Sequence, residues 1–436
     1  MPKLDTSAVV ERANADPAFR LCARYWNARI AFDVGEDRYV LHVVDGEVED
    51  LALDGGRTQR CDARVHGDED AWDRLLEPVP PPSYDHIGIG NAYGALGIEG
   101  DLVTAVGPYF PAIQELVRVL REVHSGPAEA SVVPDADRAF DTAVGRYVYV
   151  RVQGVQYRIY FEEAGTGDIP MVLQHTAGAD GRQWRHVLED PDYQRLFRMI
   201  AFDLPYHGRS LPPTGVRWWE TEYRLTRAFL VDTVVAVSHA LGLDRPVFMG
   251  CSIGGHLAPD LALYRPGEFR AVVGINAGLA TGGAGAPAIV DSWYHPRVSN
   301  EWKAAVMYGN TAPTSPEPYR RETTWIYSQG APGVLKGDVF YYSQDHDLTA
   351  EQAQQIDTTK TGVYLLTGEY DFLAGETGTA ELARNIRGAH FELVRGAGHF
   401  GPFENPEGFK PALLSVMHDI VRTRGTAGTG PGPGAR

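Results

Sequence analysis

Residues 246–264, PVFMGCSIGGHLAPDLALY, decide the fold. The apolar run Pro246–Met249 leads into Gly250-Cys251-Ser252-Ile253-Gly254 and Gly255, and then into a stretch compatible with a helix. A short apolar run without alternation is the pattern of a strand buried on both faces. A serine with glycine two residues before and two after it, where such a strand meets a helix, marks a sharp and strained turn. Only small residues fit the flanking positions, because strand and helix nearly touch there. The turn lifts the Ser252 hydroxyl into a cleft at the positive end of the helix dipole. The string G-x-S-x-G alone is weak evidence; its strand–turn–helix setting makes Ser252 the candidate nucleophile. Cys251 is the rival, but a turn centred on it needs glycine at position 249, which is Met, so Cys251 reads as a buried neighbour.

A serine hydroxyl attacks only when a base takes its proton. Two downstream segments end apolar strand-like runs with suitable groups. Thr367-Gly368-Glu369-Tyr370-Asp371 offers a carboxylate, and Gly396-Ala397-Gly398-His399-Phe400 offers an imidazole. The order Ser, acid, His makes His399 the expected general base and Asp371 its orienting partner, with Glu369 as the alternative acid. The oxyanion requires backbone donors. These are expected at Ile253 N–H and in the loop His175-Thr176-Ala177-Gly178, where Ala177 N–H is preferred and Thr176 is next. His175, Thr176 and Trp218 are candidate substrate contacts; for His175 the competing reading is a loop-structuring histidine.

Further outward, the chain divides by texture. From 146 to 423, apolar runs alternate with helical stretches: Met171–Gln174, Met199–Asp203, Pro246–Met249, Ala271–Asn276, Val363–Thr367 and Phe391–Val394. Two antiparallel strands, Tyr147–Val152 and Gln156–Phe161, precede them. The alternation implies an α/β fold with a mostly parallel sheet and helices on both faces. It lapses over about 279–358, a segment rich in Trp and Tyr, which reads as an inserted cap. Residues 8–124 form a separate small α+β block with strands Ala28–Val34, Arg38–Val44 and Ala63–Gly67 and an amphipathic helix over Pro108–Val123. A linker is expected at 125–145 and a disordered tail at 424–436.

Composition narrows the function. The 436 residues carry a net charge of −17, and 44% of them are hydrophobic. Such a chain buries a full core, and its charge repels phosphate backbones, so nucleic acid is excluded as the main partner. Three cysteines, Cys22, Cys61 and Cys251, fit neither a disulfide framework nor a zinc cluster, and no histidine spacing suggests a ligand set. No metal and no cofactor are expected. The first residues lack an apolar core for a signal peptide, and no run of 18 apolar residues occurs, so a cytoplasmic protein without a membrane span is expected.

Ser252, Asp371, His399 and the His175 loop together resemble the α/β-hydrolase family. Asp203-Leu204-Pro205-Tyr206-His207-Gly208-Arg209-Ser210 also resembles that family's Asp-x-x-Gly-x-Gly-x-Ser loop. The resemblance covers 146–423 and departs at two points: Thr176 follows His175 where the family has Gly, and Tyr206 replaces the first loop glycine. It implies a serine hydrolase that cleaves an apolar ester or thioester through an acyl-enzyme. A C–C bond hydrolase of diketones on the same triad is the alternative, and a non-catalytic lipid or small-molecule binder is the reading from another class. Within 8–124, Phe19 to Trp26, the strand-like runs, Asp45-Gly46, Trp72–Leu76, Gly94–Asp101 and the last helix resemble sterol-carrier-protein-2-like domains. That implies either an apolar tunnel for acyl chains or a scaffold without one. The expected partner is a small apolar substrate, acyl or lipid-like; a homo-oligomer is open.

Overall fold

The computed structural model describes residues 5–127, 133, 140–281, 287–346 and 348–424. Contacts divide the chain into two units, residues 1–134 with 285–332, and residues 135–284 with 333–436.

The first unit holds a five-stranded sheet of β1 (Ala28–Val34), β2 (Asp37–Val44), β3 (Glu47–Leu53), β4 (Ala63–Gly67) and β5 (Gly97–Gly100), in the order β3-β2-β1-β4-β5. β1 runs antiparallel to β2 and parallel to β4. The Asp45-Gly46 turn takes positive φ at both residues, +48° and +83°, as a tight hairpin requires. Helix Phe110–Ser125 buries Ile113, Leu116, Val117 and Leu120, the face expected from the spacing. β3 escapes a sequence reading because Glu47, Glu49 and Asp50 interrupt its buried Val48 and Leu51. The space enclosed by Phe32, Trp72, Leu116 and Leu120 is about 10 Å³, so this interior is filled by side chains.

The second unit holds eight strands. They are β6 (Val144–Val152), β7 (Val155–Ala164), β8 (Ile169–Gln174), β9 (Phe197–Phe202), β10 (Val247–Cys251), β11 (Ala271–Ile275), β12 (Gly362–Gly368) and β13 (His390–Val394). Their order is β13-β12-β11-β10-β8-β9-β7-β6. From β13 through β9 neighbours are parallel, and β7 and β6 add an antiparallel edge. β8, β10, β11 and β12 are buried at every residue, whereas β6 and β7 alternate, which is why the former read as continuous apolar runs. Helix Arg227–Ala240 starts at Thr226, whose hydroxyl accepts the Phe229 N–H, and buries Leu230, Val231, Val234 and Val237.

The expected cap does not behave as one body. Of 279–358, residues 285–332 group with the N-terminal block and those from 333 onward with the eight-stranded sheet. Local sequence pattern shows that strand alternation has lapsed, not which core each helix joins. About half of the expected linker 125–145 lies outside the described residues, with Ser125 ending a helix and Val144 starting β6. Of the expected tail, Arg424 closes helix Pro406–Arg424 and the rest lies outside the described residues.

Candidate active site

Strand order reverses between β8 and β10, and their C-terminal ends open a crevice of the kind where α/β sheets bind ligands. Ser252 sits there, one residue after β10, with φ +59° and ψ −113°. A side chain in that conformation is strained, and the neighbouring packing holds it. A Cβ at Gly250 would lie 2.5 Å from the Gly254 carbonyl carbon, and one at Gly255 2.2 Å from the Ile275 oxygen. The glycines are therefore needed for close approach. Ser252 N–H donates to Ile275 O at 3.0 Å, which fixes the turn against β11. Ile253 opens helix Ile253–Tyr264, so its N–H lies at the helix start, where no intrahelical acceptor exists.

His399 Nδ1 lies 2.5 Å from Asp371 Oδ1, and both side chains are buried. The Nδ1 proton faces the carboxylate, which leaves Nε2 as the nitrogen with the lone pair. Burial works to raise the Asp371 carboxyl, but His399 and the N–H groups of Leu373 and Gly375 outweigh it and hold it below the ordinary carboxylate range. Glu369 points elsewhere: it accepts from Arg395 Nη1 and Gly396 N, both at 2.9 Å. The structure thus pairs His399 with Asp371 and gives Glu369 a structural role.

Asn276 ends the apolar run Ala271–Asn276, and the sequence assigns it no role; the strand itself stops at Ile275. Asn276 has φ +58° and is fully buried. Its Oδ1 accepts from Gly368 N at 2.9 Å and Thr367 Oγ1 at 3.1 Å, and its Nδ2 donates to His399 O at 2.6 Å. One amide therefore ties the end of β12, which carries Asp371, to the His399 loop. The Cys251 thiol donates to the same His399 carbonyl at 3.2 Å. Burial first, then Asp371 and Glu404, push that thiol well above its ordinary value, so it stays protonated and un-nucleophilic.

In the loop after β8, Thr176 N–H donates to Gln183 Oε1 at 3.0 Å and Gly178 N–H to Asp338 Oδ2 at 2.7 Å. Between them, Ala177 N–H has no acceptor among the described residues. The engaged Thr176 N–H is thereby removed as the second donor. His175 is corrected as a substrate contact. Its Nε2 accepts the Leu204 N–H at 3.1 Å, so Nδ1 carries the proton and donates to Thr176 O at 2.8 Å. Burial and then the neighbouring His207 push it down to about 4, so it is a neutral histidine that shapes the loop. Thr176 likewise spends its hydroxyl on Gln183 at 2.9 Å. Trp218 is 42% exposed and meets Trp219 edge-on at 5.8 Å. Among the described residues it has no ring contact or hydrogen bond with Ser252, Asp371 or His399.

Asp338, from helix Pro332–Phe340, could not be picked out of the cap segment. It is fully buried and receives Gly178 N–H, His207 Nε2 at 2.7 Å and Tyr223 OH at 3.1 Å. His207 Nδ1 faces the Pro205 carbonyl at 2.9 Å and Nε2 faces a carboxylate. Both nitrogens face acceptors, so both carry protons and His207 is an imidazolium. Burial opposes that charge, but Asp338 outweighs it and holds the ring above its ordinary value. Leu335 of the same helix packs where a Cβ at Gly178 would stand, 2.9 Å away. Tyr206, in place of the family's loop glycine, adopts φ +75° and packs on Tyr223 at 4.7 Å. The ring thus packs on the tyrosine that donates to Asp338.

A model of the alpha/beta hydrolase family matches residues 171–412, more than half of the chain. The chain belongs to this family, with its fold, and is an enzyme of hydrolase type. A 2-hydroxy-6-oxononadienedioate/2-hydroxy-6-oxononatrienedioate hydrolase of Paraburkholderia phymatum is 30% identical over 294 residues, covering 64% of this chain and 96% of that protein. The protein of the same name from Burkholderia vietnamiensis is 24% identical with the same coverage. Among solved structures, a thermophilic esterase from Thermogutta terrifontis superposes with a TM-score of 0.55 at 18% identity, over 63% of this chain and 99% of that one. Among the described residues no helix is long and apolar enough to cross a membrane.

Proposed function

We propose that this chain is a serine hydrolase acting on an apolar ester or thioester. Ser252 attacks the carbonyl and His399 Nε2 takes its proton. Asp371 holds the imidazolium that forms, and Ile253 N–H with Ala177 N–H receives the oxyanion. His399 then returns the proton to the leaving group, and water activated by the same ring releases the acyl-enzyme. The observation that carries this reading is the strained Ser252 turn, whose neighbour Cys251 reaches the His399 carbonyl at 3.2 Å, together with the buried His399–Asp371 pair at 2.5 Å.

Cleavage of a C–C bond beside a ketone is the second reading. It is favoured by relatives that match this chain over 96% of their length and carry the name of such hydrolases. Both chemistries place a carbonyl at the same oxyanion donors.

Hydrolysis of a p-nitrophenyl ester series, from acetyl to long acyl, separates the readings. Ester activity that falls at least about 10³-fold in Ser252→Ala supports the first. An inactive wild type that still labels with a fluorophosphonate moves a diketone substrate to the front. Absence of both activity and labelling leaves a non-catalytic binder. For residues 8–124 we keep the sterol-carrier-protein-2-like reading as a scaffold, supported by the α+β order of its elements and its filled interior.

A further inference from the structure

The first unit contains a cleft of about 550 Å³, walled by helix Phe110–Ser125, the segment around His86, and Tyr308 to Arg321. All of its lining residues belong to that unit. Its size falls in the range of small-molecule pockets. Two buried polar side chains in its wall are incompletely satisfied. His86, 7% exposed, accepts the Gly88 N–H at Nδ1 at 3.0 Å, so its proton is on Nε2, and Nε2 has no hydrogen-bond partner among the described residues. Gln114, 8% exposed, has none for Oε1. Gln114 is close enough to favour a proton on the ring, yet the two groups do not meet in hydrogen-bond geometry. Burial, the larger effect, keeps His86 neutral and pushes it down to about 4. The buried donor and acceptor adjoin each other short of hydrogen-bond geometry, so both are available to a polar occupant of the cleft.

The charges in the wall say which kind. Arg118 is matched by Asp16, Glu115 and Glu122, and Arg321 by Glu115 and Glu317. Arg121 is different. Among the described residues it donates only to backbone carbonyls, Leu75 O at 3.0 Å and Asp85 O at 3.3 Å. Burial, and then Arg320, push it down to about 10, still cationic at neutral pH. Arg320 shares Glu317 at 3.2 Å and lies over the Tyr308 ring at 4.2 Å. Asp85 is the acid near both arginines, and burial pushes its carboxyl up to about 7, so it neutralises them only in part. Ile87, Val117, Pro313 and Pro318 supply apolar wall.

We propose that this cleft binds a small organic anion, a carboxylate or phosphate monoester on an apolar body, with its charge on Arg121 and its polar atoms on His86 Nε2–H and Gln114 Oε1. A guanidinium held by carbonyls alone keeps its charge available for an anion. The adjoining neutral donor and acceptor select a ligand that offers the complement of each.

Calorimetric titration of the full chain with hexyl phosphate and with hexanoate, and with 1-hexanol as the uncharged arm, tests this. Saturable binding of one or both anions is expected, with hexanol at least 10-fold weaker; which anion binds tighter identifies the headgroup. Arg121→Gln weakens binding at least 10-fold. Gln114→Leu, which keeps the charges and removes the open acceptor, weakens binding while raising the melting temperature of the free protein. The proposal is overturned if neither anion binds saturably, if hexanol binds as well as they do, or if both variants bind like wild type. In those cases His86 and Gln114 satisfy each other.

Discussion

Replacing Asp338 by Asn puts the whole oxyanion side of the site under test. The carboxylate accepts three donors, from Gly178, His207 and Tyr223, in complete burial. Asn cannot serve them all. With its NH₂ at the Oδ2 position it opposes the Gly178 N–H. With its oxygen there, His207 either keeps an uncompensated charge or turns a lone pair toward another. One charge-assisted hydrogen bond is lost and one buried group is left unsatisfied, which costs about 2–4 kcal/mol. At about 2–4 °C per kcal/mol the melting temperature falls by roughly 5–15 °C. In the orientation that turns the NH₂ toward Gly178, that N–H is released and the adjoining Ala177 donor loses its aim; misplacing one oxyanion donor lowers kcat by about 10²-fold, with KM little changed. Ester kinetics and a thermal melt on the same preparation read both numbers. A variant within about threefold of wild-type kcat and with an unchanged melting temperature refutes the argument.

Other expectations follow from the same geometry. Because His207 is held above its ordinary value of 6.5, the pair's stabilisation is full below about pH 6.5 and is lost as pH rises through the folded value; the melting-temperature gap between wild type and Asp338→Asn therefore narrows from pH 6 to pH 9. Asn276→Leu unties the His399 loop from β12 and lowers kcat by about 10–100-fold, measured against the same esters. Cys251→Ala keeps activity within a few-fold, and thiol reagents do not inactivate the native enzyme, since the thiol is buried and protonated. Gly250→Ala forces a Cβ into the Gly254 backbone and destabilises by at least about 3 kcal/mol, read by chemical denaturation.

Much of the hydrolase half was legible because its information is local. Parallel strands buried on both faces carry unbroken apolar runs, and a strained turn between strand and helix demands glycines at fixed offsets. The strands of 28–34 and 63–67 were read to the residue. Charged β3 was missed because its pairing with β2 depends on a neighbour and not on its own pattern.

The partner of each polar group was the harder part. Asp371 and Glu369 lie two residues apart at the end of the same strand, and their chemistry is alike. Only the turn after β12 sends one to His399 and the other to Arg395 and Gly396. His175 looked available until the fold brought Leu204 N–H to its second nitrogen.

The sequence by itself determined the class of sheet and the tight glycine-flanked turn at Ser252, because periodicity and steric demand act over a few residues. The tertiary structure alone decided which carboxylate pairs with His399 and which N–H of the loop after β8 stays open among the described residues. It also decided that Asp338, from the segment expected to be a cap, holds the loop after β8, and that residues 285–332 pack with the N-terminal block. Those outcomes depend on where burial brings groups from distant segments, and on the rule that a buried charge or donor must find a partner wherever the chain supplies one.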